Sequence, residues 1–467
     1  MIALGLLLSV VVPLLAGVVW VAPLSAGRAG AWPLSLGYGY VLGLLITVIG
    51  IRALDVAHIP INFLTAAILP LISAAIGFWR RRALPQSARV DLASARTTWQ
   101  MLSKVPRILI VGLVGLIALR LLALGAELLP RPFFPWEAVS AVATKARVWF
   151  ESGALQQFVP ASSWLQGLGI HTDTDPSAFA LPSLLLVWTA HAVGQWHEGA
   201  VGFPWWMLGL SLALALYGHV RRLGGGIAFA LTATYLLISL PLLDVNIALA
   251  GAPNWVAAAG IGLAGCAVLA GLTTPSREMA VYFVVGAALA LASQASTWPW
   301  MAIFAIAFVM ERWPRSAVKL FAGIPLLILL FVLALLQTPI RYGGSTWQLK
   351  VAPDWLESVE SLFLLDNWHL LYGLTLLVLL GGWRTISSPS WLSRTWVVAT
   401  GLGLMFMLGT LTLPGAWFGG QHQFSITGLQ LAPMLVLWLS MAARDIAVAR
   451  SLPRVDAGQD SITDPSQ

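Results

Sequence analysis

Stretches of about 20 apolar residues recur along this chain, and one such stretch is enough to cross a hydrocarbon core about 30 Å thick. They fall at approximately 3–24, 36–53, 62–80, 108–126, 203–220, 227–244, 255–273, 279–295, 299–312, 317–337, 364–383, 392–412 and 426–446. In lipid, every backbone donor and acceptor must be satisfied inside the protein, which leaves helices or closed barrels. Segments of this length read as helices, so the expected fold is all-α: a polytopic transmembrane bundle of about 13 spans. Only 10% of the 467 residues are charged and the mean hydropathy is +0.84, whereas soluble domains carry about 25% charged residues.

The net charge of +7 is not a nucleic-acid footprint, because the basic residues collect in short loops at alternate span ends. That is the positive-inside pattern. Arg80-Arg-Arg82 through Arg107, with Arg89, Arg96 and Lys104, is the strongest basic loop and is assigned to the cytoplasm. Counting from it places the N-terminus outside and the C-terminus inside. Arg221-Arg222, Arg277, Arg312 with Arg315, Arg384 with Arg394, and Arg444 then fall inside, and Asp55, Glu137 to Asp175, Asp244 and Asp354 to Asp366 fall outside. This requires that Leu181 to Trp196 not cross. With Pro182, His191 and Gln195 it is expected as a juxtamembrane or shallow re-entrant helix on the outer face.

Four regions follow: spans 1–126 with the basic loop 80–107, an external loop 127–202, a transmembrane body 203–446, and a polar, disordered tail 447–467. The segment Met1 to Pro23 lacks a basic leader and reads as a retained span. Cys266, the one cysteine, lies in an apolar run and supports neither a disulfide framework nor a thiolate metal cluster.

The external loop is the largest polar interruption. From Glu137 to Glu151, Val139, Val142, Ala146, Trp149 and Phe150 recur at helical spacing, opposite Glu137, Ser140, Thr144, Arg147 and Glu151. This predicts an amphipathic helix on the membrane surface with a carboxylate at its positive end, which favours the ionised form. Asp173 and Asp175 lie in a Thr/Asp/Pro run that also suits an Asx-turn. His171, His191 and His197 match no zinc spacing. Asp244 marks a span end facing a cavity or the interface, and Arg120 lies within a span, facing outward or toward a groove for a lipid phosphate.

Trp136-Glu-Ala138 followed by Lys145-Ala-Arg147 resembles the Trp-Asp-Ala…Lys-Ala-Arg element in the first external loop of bacterial GT-C glycosyltransferases. His171-Thr-Asp-Thr-Asp-Pro176 and Leu181-Pro182 resemble the elements that follow it. The chain departs from the pattern in having Glu137 for the aspartate, in lacking the tyrosine of the second element, and in showing Ser296-Thr-Trp-Pro299 where relatives carry a Lys and Glu pair.

The resemblance implies transfer of a sugar from a polyprenyl-phosphate-linked donor to a lipid or envelope glycan acceptor, on the outer face of the bacterial inner (plasma) membrane. It implies Glu137 as catalytic base, with Asp173 or Asp175 as a second catalytic acid that could face a divalent metal. Lys145 and Arg147 would hold the lipid phosphate, and His171 and Asp244 would bind substrate. No cofactor beyond that metal is implied, and membrane lipids are the other expected partners. The alternatives are a catalytically degenerate relative and a membrane transporter that binds lipid-linked glycans.

Overall fold

The computed structural model describes residues 2–82, 103–173, 176, 179–313, 340–342, 345–347, 350–351, 355–365, 367–412 and 421–451. The expected span 317–337, most of the basic loop 80–107, most of the tail and Asp175 lie outside the described residues.

The long helices are α1 (Ile2–Ser25), α2 (Ala31–Val56), α3 (Phe63–Arg82) and α4 (Lys104–Leu128). After them come five shorter or loop-associated helices and spans: α5 (Thr144–Ser152), α6 (Ala161–Leu165), α7 (Leu181–Val193), α8 (Glu198–Val201) and α9 (Phe203–Arg222). The body continues through α10 (Ile227–Ile238), α11 (Pro241–Ala248), α12 (Pro253–Thr273), α13 (Arg277–Ser293) and α14 (Trp298–Arg312). It closes with α15 (Trp355–Phe363), α16 (Leu371–Gly381), α17 (Trp383–Ile386), α18 (Leu392–Thr410) and α19 (Gln421–Ser451). Among the described residues, strands occur as short pairs such as Phe158–Val159 with His171–Thr172.

The chain is a helical membrane protein. Among the described residues, 8 helices are long and apolar enough to cross a bilayer, or 9 if the bent pair α10 and α11 counts as one. The expected spans 279–295 and 299–312 form α13 and α14, of 17 and 15 residues, and 364–383 contains the 11-residue α16. The break between α10 and α11, at 63°, sits before Pro241, which has no N–H to continue the ladder. The backbone N–H of Leu242 is satisfied instead by the carbonyl of Asn367, 3.3 Å away.

Glycines set the helix crossings. A Cβ on Gly17 would collide with the Gly39 carbonyl, and one on Gly43 with the Pro13 carbonyl, so α1 and α2 meet backbone to backbone. Gly260 and Gly286 do the same for α12 and α13. The most enclosed helix is α12, in which every residue from Asn254 to Leu272 is buried. By contrast, α3 and α4 are peripheral and turn long rows of Leu, Ile and Val outward.

Leu181 to Trp196, expected as a juxtamembrane or shallow re-entrant helix, contains the 13-residue helix α7, and it is packed inside the protein. Helix α7 is enclosed by α1, α2 and α5, with Trp188 buried and its Nε1–H donating to the Ser9 carbonyl at 2.9 Å.

The two ends of the bundle differ in their charged groups. At one, Arg28 and Arg222 both pair with buried Glu278, Arg444 approaches Gly224, and Ser393 donates to Glu311 at 2.7 Å. At the other, Asp55 accepts from Leu155 N at 3.1 Å and the Ile61 N–H donates to the Gly153 carbonyl at 2.7 Å. The segments between residues 129 and 202 are gathered at this second end.

Replacing Gly43 by Leu is expected to lower stability by about 1–3 kcal/mol through overpacking, read as a drop in melting temperature in detergent. Gly115→Leu, where a Cβ would meet nothing within 4 Å, is expected to leave it unchanged. Equal effects at the two positions would show that the α1–α2 contact is not the tight one.

Candidate functional site

After α4 the chain turns through Arg131 to Pro135 and enters a six-residue π-helical segment, Ala138–Ala143, that runs directly into α5. Single π-turns within helices often accompany functional sites. Glu137 stands at the head of this segment, exposed, and accepts a hydrogen bond from Nδ2 of buried Asn254 at 3.5 Å. Asn254 lies in the first turn of α12, so the carboxylate sits against the positive end of the most buried helix of the bundle. Phe133 and Ala138 pack on Gly251, whose φ of +92° lets the α11–α12 connection turn beneath them. Glu198 accepts from Phe133 N at 3.2 Å, closing the loop over the start of α8.

Helix α5 has the expected two faces, with one important difference. Ala138, Val142, Lys145, Ala146 and Trp149 form its buried stripe. Lys145 therefore points inward, and its Nζ lies 2.7 Å from Asp173 Oδ2, with the two side chains only 4% and 0% exposed. The expectation that Lys145 offers its charge to a lipid phosphate meets an enclosed lysine engaged with Asp173. Arg147 is on the opposite, exposed face and pairs with Glu151 at 2.9 Å. The pair Lys145–Asp173 ties α5 to the residue that follows the strand His171–Thr172 and so links the two halves of the loop between α4 and α7.

His171 lies in the short strand beside Phe158, with ring centroids 5.5 Å apart. Two other histidines have structural roles. His191 packs on Phe150 at 4.9 Å, and Nδ1 of His197 accepts from Ala200 N at 3.2 Å as a helix cap. Among the described residues no group of three or more His, Cys, Asp or Glu is placed to hold a metal ion.

Asp244 is buried in α11, one turn beyond the break, and forms an ion pair with Arg120 of α4. The Arg120 side chain remains 41% exposed on a helix whose outward residues between Ile108 and Leu122 are otherwise apolar. Ionisable residues at such depth are functional candidates by default. Its partner was not legible from spacing, because 124 positions separate the two residues and only the packing of α4 on α11 joins them. Asn254 was missed for the same reason: an amide at a helix start carries no signal by itself.

Of the expected site residues, Glu137 and Arg147 lie exposed on the helical segment 137–152 at the loop end of the bundle, while Lys145 and Asp173 form a buried pair beneath it. Asp244 belongs to a separate pair at the side of the bundle. No family model, curated protein or solved structure matches the chain.

Removing one partner of a buried pair strands the other charge, at a cost of about 3–5 kcal/mol. Lys145→Met is thus expected to destabilise strongly, and the double replacement Lys145→Met with Asp173→Leu to recover most of the loss in thermal unfolding. If the double variant is at least as unstable as the single, the two side chains are not coupled. Arg147→Ala, at an exposed pair, should shift stability by no more than about 1 kcal/mol.

Proposed function

We propose that the chain is an integral membrane glycosyltransferase that moves a sugar from a polyprenyl-phosphate-linked donor to a lipid or envelope glycan acceptor. The observation that carries this reading is the state of Glu137. Its carboxylate is exposed, held by a neutral amide rather than a cation, and placed at the start of α12. Asp173, the other described candidate acid, is closed off by Lys145. Glu137 is therefore the acid available to accept a proton.

In the proposed step, Glu137 takes the proton of the acceptor hydroxyl as its oxygen attacks the anomeric carbon. The bond from that carbon to the phosphate oxygen breaks, and the polyprenyl phosphate departs with the electron pair. A cation suited to that leaving phosphate must face lipid, because the prenyl chain stays in the bilayer. Arg120 meets that condition: it lies eight residues before the end of α4, about 12 Å along the axis, and its guanidinium can fork onto phosphate. Asp244 would keep it oriented when no donor is bound. Arg147 remains a candidate for the acceptor or headgroup side.

The end carrying Glu137 is assigned to the outer face and the Arg28–Glu278–Arg222 end to the cytoplasm, on the distribution of basic residues. A bacterial inner membrane is the location this reading favours. A transporter of lipid-linked glycan has one observation on its side, the 63° break beside Asp244. Transporters built from repeats pair such breaks in corresponding halves, and among the described residues this is the one bent pair.

The test uses the full chain in vesicles with labelled polyprenyl-phosphate hexoses and pentoses and extracted envelope lipids as acceptors. Transfer is expected, and Glu137→Gln should reduce it by at least about 100-fold, as loss of a general base does, with the melting temperature unchanged. Arg120→Ala should raise KM for the donor. Undiminished transfer in Glu137→Gln removes it as the base, and donor binding without turnover in the unaltered chain favours the degenerate relative.

A further inference from the structure

Residues 152–170 contain no Asp, Glu, Lys or Arg, although they belong to the most polar region of the chain. Within them, α6 and the turn after it form a small closed tip. Trp164, Leu165, Leu168 and Ile170 are 44%, 78%, 68% and 80% exposed, so four large apolar side chains point away from the protein on one turn.

Several backbone groups of this tip are bonded within it. Ser163 N and Trp164 N donate to the Pro160 carbonyl at 3.0 Å, Gly167 N to Trp164 O at 2.9 Å, and Leu168 N to Ser163 O at 3.1 Å. The indole Nε1–H of Trp164 closes the turn on the Ile170 carbonyl at 3.3 Å. Gly167, at φ +74°, supplies the left-handed conformation the turn needs. A water-facing loop has no need of this combination, because water would serve its polar groups and apolar side chains would gain nothing. A segment that enters lipid needs both, since unpaired backbone groups are costly there.

The tip is also fixed at the right level. Residues 153 and 155 are bonded to Ile61 and Asp55, at the ends of α3 and α2, and Thr172 Oγ1 donates to Val159 O at 3.0 Å across the base of the tip.

We propose that residues 160–170 form a membrane anchor, inserting Trp164, Leu165, Leu168 and Ile170 into the lipid leaflet at the loop end of the bundle. Lipid is the occupant that matches an uncharged, self-bonded turn pinned at the ends of spans, where an indole suits the headgroup boundary. The anchor does not depend on which reaction the chain performs.

Cys266 is buried, so a cysteine placed at Leu168 in the full chain, on a Cys266→Ala background, takes a nitroxide label at one site. In vesicles of phosphatidylethanolamine and phosphatidylglycerol, the label is expected to be several-fold more accessible to oxygen than to a water-soluble nickel chelate. Adding Leu165→Asp and Ile170→Asp should reverse that preference while the detergent-purified chain stays monodisperse. A label open to the nickel chelate in the unaltered tip overturns the proposal. So does spin–spin broadening that persists when the protein is diluted in lipid, because the surface would then be covered by a second copy.

Discussion

Helices surrounded by hydrocarbon gain nothing by hiding apolar side chains from an equally apolar solvent, so their association rests on close packing. The bundle depends on backbone-to-backbone approach at a few glycines. Gly17, Gly39 and Gly43 join α1 to α2, and Gly260 and Gly286 join α12 to α13. The second crossing makes α12 an enclosed axis, and the first places α2 where its C-terminal end can hold the loop through Asp55.

The charged groups follow from that packing. A carboxylate inside a membrane protein is tolerated when a cation or several donors meet it. Glu278 is met by Arg28, Arg222 and the hydroxyl of Tyr282, Asp173 by Lys145, and Asp244 by Arg120. Glu137 differs from these three in having an amide as its partner and in standing exposed, while Asp55, Glu198 and Glu311 accept from backbone N–H groups or a hydroxyl. The contrast with the three cation-paired carboxylates separates Glu137 from groups that hold the fold together.

The sequence reading placed helices well where length and hydropathy decide, and less well where neighbours decide. The interruption at Pro241 was present in the sequence, yet 227–244 reads as one span, since a 20-residue window averages over the break. Lys145 shows the same limit from another side. Ala138, Val142, Lys145 and Trp149 are spaced by four, three and four, an inward stripe legible in the sequence, but a lysine in such a stripe is ordinarily read as solvent-facing. Its inward course makes physical sense only with Asp173, 28 residues on, brought under the helix. The helix at Leu181 to Val193 carries Pro182 and His191, which mark it as a segment that need not cross, but only the packing shows that α1, α2 and α5 cover nearly all of it.

By itself the sequence determined that the chain is a helical membrane protein and that acids and bases concentrate between residues 127 and 202. Those properties are set by hydrocarbon thickness, backbone satisfaction and charge asymmetry, all of which act on short stretches of chain. Only the tertiary structure decided that Lys145 and Asp173 neutralise each other, that Arg120 reaches Asp244, and that Glu137 rests on Asn254. Each of those contacts joins residues 28 to 124 positions apart, and such pairings arise from helix packing that no local pattern encodes.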